Sequence, residues 1–469
     1  MKKVLLFVLV LIIAVALVGP KIVGSQLEDG IVDTVAAINK NPNYTASVTS
    51  LESSWFTTNA EVKLGLKIPD MSELSGRPPA DFSVDVILTG YHGPILTSDG
   101  FAIGWLHTVA VTKEAAILEG LVLPNNKPFY EFNGVTGLLG TTTYQDEISS
   151  ISYTSPASGA VVMFSGLLGT GEISSSSLAY SGSAESLSLS EEGVANIDIQ
   201  GFTMDIESSD SIAEILSQGL YDSNSSISIN LMKINDLAQG TEIRVVDSEL
   251  LVTSSYDDET DIGNLTVSTK LASIDTPSLN LTDINTVIEL NNLQGKFMLA
   301  YQDFSSNMME NMSDPSAAKS NLDTFMQDHL LAQLQLNPEY NISKLSGKIN
   351  GSEFDGKILT KLKGVTELPA SLEDPAFWIK HASIDSKMLM QKVAAEFVAK
   401  QVMSSQLSAN PQFMALDEAE RTQIINQQVA GMLGGLVQQG MITLENEGYI
   451  ATFTLEDGAA SLNGNPIPL

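Results

Sequence analysis

The sequence predicts an α+β fold that is mainly antiparallel β: an elongated sheet, helices packed on it in the C-terminal third, and one N-terminal membrane helix. Three observations predict it. Runs alternating polar and apolar residues fill the middle of the chain, apolar residues at helical spacing gather in the last third, and an unbroken apolar run stands at the N-terminus. One wet face per strand marks antiparallel sheet, because strands covered by helices on both faces read as continuously apolar.

The N-terminal run comes first. Met1-Lys2-Lys3 precede the uninterrupted apolar residues Val4 to Val18, and Gly19-Pro20-Lys21 follow. Residues 1–24 are read as a membrane anchor or a signal segment. As a single-pass anchor, Val4 to Val18 reach about 22 Å across a hydrocarbon core about 30 Å thick. Snorkelling of Lys3 and Lys21, with Ile22 and Val23 beyond, covers the shortfall. As a removed signal peptide, the segment would be cut at the small-x-small site Ala14-Val15-Ala16. Leu17 and Val18 continue the apolar run past that site, so the anchor is the preferred reading. Under either, the two lysines stay cytoplasmic and everything after Gly24 is exported.

Residues 25–42 form a helical stalk in this reading. Leu27, Ile31, Val35 and Ile38 recur at helical spacing with Glu28, Asp29 and Asp33 between them, until Asn41-Pro42. Residues 43–290 are β-rich. Glu61 to Ile68, Ser186 to Ser190 and Asn196 to Ile199 alternate, and Thr266 to Leu290 adds several short runs. The Ser- and Gly-rich stretch Ile148 to Ser190 keeps its alternation and is read as exposed strand with loops. One helix interrupts at Ser211 to Leu220.

Residues 291–469 are read as an α+β region ending in a β-meander. Asp314-Pro315 supplies a cap and a first-turn proline for a helix bearing Leu322, Phe325, Met326, Leu330 and Leu334. A second helix is placed at Met388 to Gln406. A third carries Ile425, Val429, Met432, Leu433, Leu436 and Val437, with Gly440 as its C-cap. Tyr340 to Val365 reads as strand. At the end, Asn446-Glu447-Gly448, Glu456-Asp457-Gly458 and Asn463-Gly464 punctuate a meander, Asn-Gly being a strong hairpin signal.

Charge and composition exclude whole classes of function. Lys plus Arg number 24 and Asp plus Glu 56, and 24 minus 56 gives the net charge of −32. Cysteine is absent, so disulfide scaffolds, thiolate zinc sites, cysteine nucleophiles and lipid-modified cysteines are ruled out. Arginine occurs only at Arg77, Arg244 and Arg421, and nucleic acid is not expected as a partner, since affinity there rests on neutralising phosphates.

No constellation of catalytic residues emerges. His92, His107, His329 and His381 form no metal-binding pair in sequence. Gly351 to Lys357 fits the first seven places of a phosphate-binding loop, but Ile358 replaces the magnesium-binding hydroxyl and strand-like runs flank it. Asp257, Glu259 and Asp261 resemble a calcium loop, yet glycine falls one place late at Gly263 and Ser268 replaces the closing glutamate. Met308, Met309, Met312 and Met326 are read as helix core in preference to an adaptable binding surface. No catalytic, cofactor-binding or metal-ligating residue is assigned, and no cofactor is expected.

Three places resemble the YdgA-like family of bacterial envelope proteins, a domain of unknown function. They are Trp55-Phe56-Thr57-Thr58 entering a strand, Tyr91-His92-Gly93-Pro94-Ile95, and the closing helix and meander through Ala460-Ser461-Leu462-Asn463-Gly464. Serine stands where the family has glycine before Trp55, and Ile95 where it has an aromatic. The resemblance implies a single-pass protein of the bacterial inner membrane with its bulk in the periplasm, and it assigns no catalytic residue. His92-Gly93-Pro94 on its own residues is a chain reversal, with a hydrogen-bonding or acid-sensing histidine as the functional alternative.

The function expected is therefore non-enzymatic: an envelope protein, held by Val4 to Val18, that binds a lipid or protein partner on an extended sheet. A structural role through sheet-edge self-association, giving a homo-oligomer, is the alternative. A hydrolase with a scattered site ranks below both.

Overall fold

The computed structural model describes residues 2–39, 44–66, 82–98, 100–113, 121–124, 127–156, 158–310, 315–408 and 410–468. Strand accounts for 52% of the structure, which makes it mainly antiparallel sheet with helices in its C-terminal part. Two compact units are present: Met1–Ile227 with Met298–Met326, and Ser228–Phe297 with Gln327–Leu469.

In the first unit, helix α1 (Lys2–Ile38) is continuous through Pro20. Strands follow as β1 (Tyr44–Ser53), β2 (Thr57–Leu66), β3 (Phe82–His92), the short pair β4 (Ile95–Leu96) and β5 (Ala102–Ile103), and β6 (Leu106–Thr112). Next come β7 (Leu121–Val122), β8 (Tyr130–Thr136), β9 (Thr142–Ile148), β10 (Ile151–Thr154), β11 (Val161–Phe164), β12 (Leu167–Ile173), β13 (Leu178–Glu191) and β14 (Ala195–Ser208). The spatial order is β1-β2-β3-β6-β8-β9-β12-β13-β14, all antiparallel. The first half of β13 pairs with β12 and the second with β11, which leads on to β10 and β7. The helix expected near residue 211 is Ile212–Ser217, capped by reciprocal Ser211 and Glu214 bonds.

The segment read as a stalk does not stand off from the sheet. α1 lies against β1, β2 and β3, with Pro20 and Ile31 buried. Gly90 on β3 admits the Leu27 side chain, for a Cβ there would sit 2.3 Å from Leu27 Cδ2. Asn39 ties the helix end to β1, donating from Nδ2 to Ala46 O at 2.8 Å and accepting from Ala46 N at 2.8 Å. The same apolar spacing that suggests a stalk is the stripe that packs on the sheet. Among the described residues no helix is long and apolar enough to cross a membrane. The side chains of Val4 to Leu17, on which the anchor reading rests, lie outside the described residues.

β15 (Ser223–Asp236) precedes the strands of the second unit: β16 (Thr241–Asp257), β17 (Ile262–Asp275), β18 (Asn280–Gln294), β19 (Glu339–Ile349) and β20 (Ser352–Leu362). Then follow β21 (Ala382–Gln391), β22 (Thr443–Glu445), β23 (Gly448–Glu456), β24 (Ala459–Leu462) and β25 (Asn465–Ile467). They pair antiparallel in the order β16-β17-β18-β19-β20-β21-β23-β24-β25. The runs read as short strands over Thr266 to Leu290 belong to two long ones, because alternation persists through them.

Helices Pro375–His381, Lys392–Ser408 and Glu418–Gln438 belong to this unit, whereas Gly295–Glu310 and Pro315–Gln335 are divided, Met298–Met326 falling in the first unit. Ala399, Val429 and Leu433 bury one another, with Met403, Ile425, Met432, Ile442 and Tyr449 around them, so the last two helices close on the sheet at β23. The helix expected from Met388 starts only at Lys392. Met388, Leu389 and Met390 are strand, paired with β20 on one side and β23 on the other. A short apolar run of this kind has no period that separates strand from helix. Gly440, at φ 73°, stands just past the last helix, and Asn463 and Gly464, at φ 51° and 77°, make the closing hairpin turn.

Candidate functional site

Two of the motifs that the sequence separates by more than thirty residues meet in the first unit. His92, at the end of β3, is 4% exposed. Its Nε2 lies 3.0 Å from Thr58 Oγ1 and its Nδ1 lies 3.3 Å from the Trp55 carbonyl. A carbonyl only accepts, so Nδ1 holds the proton and Nε2 accepts from the Thr58 hydroxyl. The His92 amide donates to Phe56 O at 2.8 Å. α1 completes the enclosure at Gly24, where a Cβ would lie 2.6 Å from His92 Cε1. The Gly93-Pro94 peptide, which is cis, then turns the chain.

Burial pushes the His92 imidazole below its ordinary value of 6.5, partly opposed by the Trp55 carbonyl; Lys21 lowers it further and Glu28 raises it. An unfolded chain therefore takes up a proton before the folded one as pH falls. The His92 contribution to stability is complete above pH 6.5 and is lost as pH falls from there toward the lowered value, at up to about 1.4 kcal/mol per pH unit. Urea unfolding of the full chain in detergent at pH 7.5 and 5.5 should show this loss, and His92→Gln should flatten it.

Beside this hub, His107 is equally buried. It faces Ser98 Oγ through Nδ1, has Asn133 Oδ1 3.0 Å from Nε2, and stacks on Tyr91 at 5.6 Å. Further along the sheet, Phe132, Tyr144 and Tyr180 stack in a row over glycines, with Gly171 leaving the space that Tyr144 fills. Asp146 lies among them in a groove lined by Glu131, Gln145, Thr170 and Ser183. Burial raises its carboxyl against hydrogen bonds from Tyr130 and Tyr180. The Tyr180 phenol is pushed up to about 12, first by burial and then by the Asp146 charge.

The second unit presents a sheet with two unlike faces. Register puts Val252, Val267, Ile288, Ile342 and Ile358 in one row across β16 to β20. Leu250, Ile288, Tyr340 and Ile358 on this face are each more than a third exposed. On the other face, cross-strand ion pairs repeat: Glu249–Lys270 at 3.1 Å, Lys344–Asp355 at 2.8 Å, Lys357–Asp385 at 2.7 Å and Lys361–Glu339 at 2.9 Å. The sequence shows alternation but not this continuity, which depends on a register set by irregularities such as that between Ile342 and Leu345.

The motifs set aside in the sequence fall in turns. Asn350 and Gly351 are the left-handed residues of the β19–β20 hairpin, so Gly351 to Lys357 leads into a strand. Asp257 accepts from Glu259 N and the Thr260 hydroxyl, and Asp261 from the Tyr256 hydroxyl and Lys296 N, so the acidic turn is internally bonded. His381 Nδ1 meets Lys363 O at 2.9 Å beside Phe377, and His329 is half-buried on its helix. Met308 and Met326 lie in helices, while Met312 is outside the described residues. Among the described residues no three His, Asp or Glu side chains gather as a metal site.

Fold and surface together define a two-unit antiparallel-sheet protein whose most developed features are an enclosed histidine beneath the N-terminal helix and a broad apolar sheet face. Its sequence matches, over residues 1–469, the model of a bacterial protein family of unknown function, DUF945, and the chain belongs to that family. No match was found among curated proteins or among solved structures.

Proposed function

We propose that the protein is a non-enzymatic component of the bacterial envelope, held to the inner membrane by Val4 to Val18 with its bulk in the periplasm, and that it binds a lipid or lipid-like partner on its sheet. The YdgA-like motifs support the location. The observation behind the binding role is the apolar row through Val267, Ile288, Ile342 and Ile358, whose exposed members stand on a face without the ion pairs of the opposite one. Contiguous exposed apolar side chains on one face are a mark of interaction sites. Sheet-edge self-association is disfavoured at β25, which is three residues long and carries Pro466.

Phospholipid retained per chain, measured after purification in mild detergent, tests the role. Wild type should retain lipid, and Ile288→Asn/Ile358→Asn should lose most of it while still unfolding cooperatively at a denaturant midpoint lowered only modestly, since both positions are more than a third exposed. Equal retention by the two proteins would contradict the assignment of the face.

A further inference from the structure

Three turns of the first unit meet at one end of the sheet, beside the point where α1 runs back toward Lys2. The β1–β2 turn carries Trp55 and Phe56, the β4–β5 pair Phe101 and Ile103, and the β8–β9 turn Leu138 and Leu139; all six are at least 49% exposed, and Leu139 is 98% exposed. Hydrogen bonds lock them into one rim. The His92 amide donates to Phe56 O at 2.8 Å and Gly104 N to Pro94 O at 3.1 Å; Trp105 N donates to Thr136 O at 2.8 Å and Trp105 Nε1 to Leu138 O at 3.0 Å. α1 passes this rim at Gly19, where a Cβ would lie 3.0 Å from the Trp105 ring.

Charge is nearly absent here. Residues 53–58, 93–106 and 136–142 contain one charged residue, Asp99, in a chain of net charge −32. The described residues at the opposite strand ends differ: Lys113 donates its amide to Asp85 O, Lys127 pairs with Glu147 at 2.7 Å, and Glu191 and Glu192 stand where β13 turns into β14. Opposite the rim lies the far end of α1 at Ile38; behind Gly19 the helix continues through the apolar run. Aromatic and aliphatic tips without charge, fixed beside an apolar helix, match the water–hydrocarbon boundary of a bilayer, where Trp and its like concentrate.

We propose that this rim inserts into the outer leaflet of the membrane that the N-terminal helix enters, seating the first unit on the bilayer. The proposal rests on the anchored reading above. At this rim an acidic molecule approaches lipid while bringing few carboxylates to the headgroups.

Tryptophan occurs only at Trp55, Trp105 and Trp378, so Trp378→Phe leaves both remaining indoles at the rim. The full-length variant, reconstituted in phosphatidylcholine vesicles, is floated on a density gradient and its emission recorded with acyl chains brominated near the headgroup. The expected result is flotation with quenched emission, and loss of the quenching, with flotation retained, on adding Phe56→Ser/Phe101→Ser/Leu139→Ser. These three positions are exposed, so the fold survives their replacement. Flotation without quenching, or quenching that the triple variant leaves intact, overturns the seating and spares the anchor. Absence of flotation overturns the anchored reading and the seating with it. A dimer in detergent that the triple variant separates, with no quenching, assigns the rim to a second copy and overturns the proposal.

Discussion

Gly93→Ala should destabilise the first unit by about 3 kcal/mol, the upper part of the usual range for forcing an extra carbon into a packed site. A Cβ at Gly93 would lie 1.6 Å from Gly104 O, 2.7 Å from its carbonyl carbon and 3.1 Å from Trp105 Cα. All three are backbone, so no side-chain rotation relieves the overlap. The Gly93 amide also donates to Trp105 O at 2.6 Å, and that bond must lengthen if the strands part. Damage should spread to the His92 enclosure, whose amide bond to Phe56 O lies one residue away. Gly30→Ala is the control. It lies within α1 with nothing within 4 Å of the added carbon, and should stabilise by about 0.5–1 kcal/mol through helix propensity. Chemical denaturation of both variants, followed by fluorescence, checks the pair. Similar midpoints would show that the close approach at Gly93 is not a constraint.

Gln333→Ala should cost the second unit about 3 kcal/mol, from two backbone groups left unpaired at about 1–3 kcal/mol each. Gln333 is fully buried. Its Oε1 accepts from Gln294 N at 2.8 Å and its Nε2 donates to Asn292 O at 2.9 Å, so one side chain closes the end of β18. Leu334 and Leu293, also buried, exclude the water that would otherwise replace those bonds. Asn292 and Asn337, both left-handed at φ 58° and 54°, continue the arrangement: Asn292 Nδ2 donates to Asn337 O at 3.1 Å, and Asn337 Oδ1 accepts from Gly364 N at 3.0 Å. Gln333→Glu keeps the shape and the acceptor but loses the donor and adds a buried charge, so it should be at least as damaging as alanine. Thermal unfolding of the full chain checks both, and a Glu variant of wild-type stability would contradict the bonding described.

These sites show where sequence reading stops. Alternation identified the strands, and Asn463-Gly464 its hairpin, because each signal is local and needs no partner. The helix near residue 211 was legible locally too, from Ile212, Ile215 and Leu216 on one face, though its Ser211–Glu214 cap emerges only in the structure. By contrast, His92 draws its partners from Trp55 and Thr58, and Gln333 from residues about forty positions earlier. Nothing in either segment alone announces the other. The stripe at Leu27, Ile31 and Val35 was legible as amphipathic, but amphipathicity does not say what covers it; the sheet does. Met388 to Met390 misled because a strand paired on both sides and a helix core have the same composition. The apolar face of the second unit depends on register across five strands, which hydrophobic pattern constrains but irregular pairing finally sets.

The central claim is that the chain stays anchored through residues 1–24 and holds lipid on its sheet. Native mass spectrometry of the full-length protein extracted in detergent tests it most directly. The account predicts an intact N-terminus and an adduct of phospholipid mass that Ile288→Asn/Ile358→Asn removes. A mature chain beginning near Leu17, with no adduct, would contradict it.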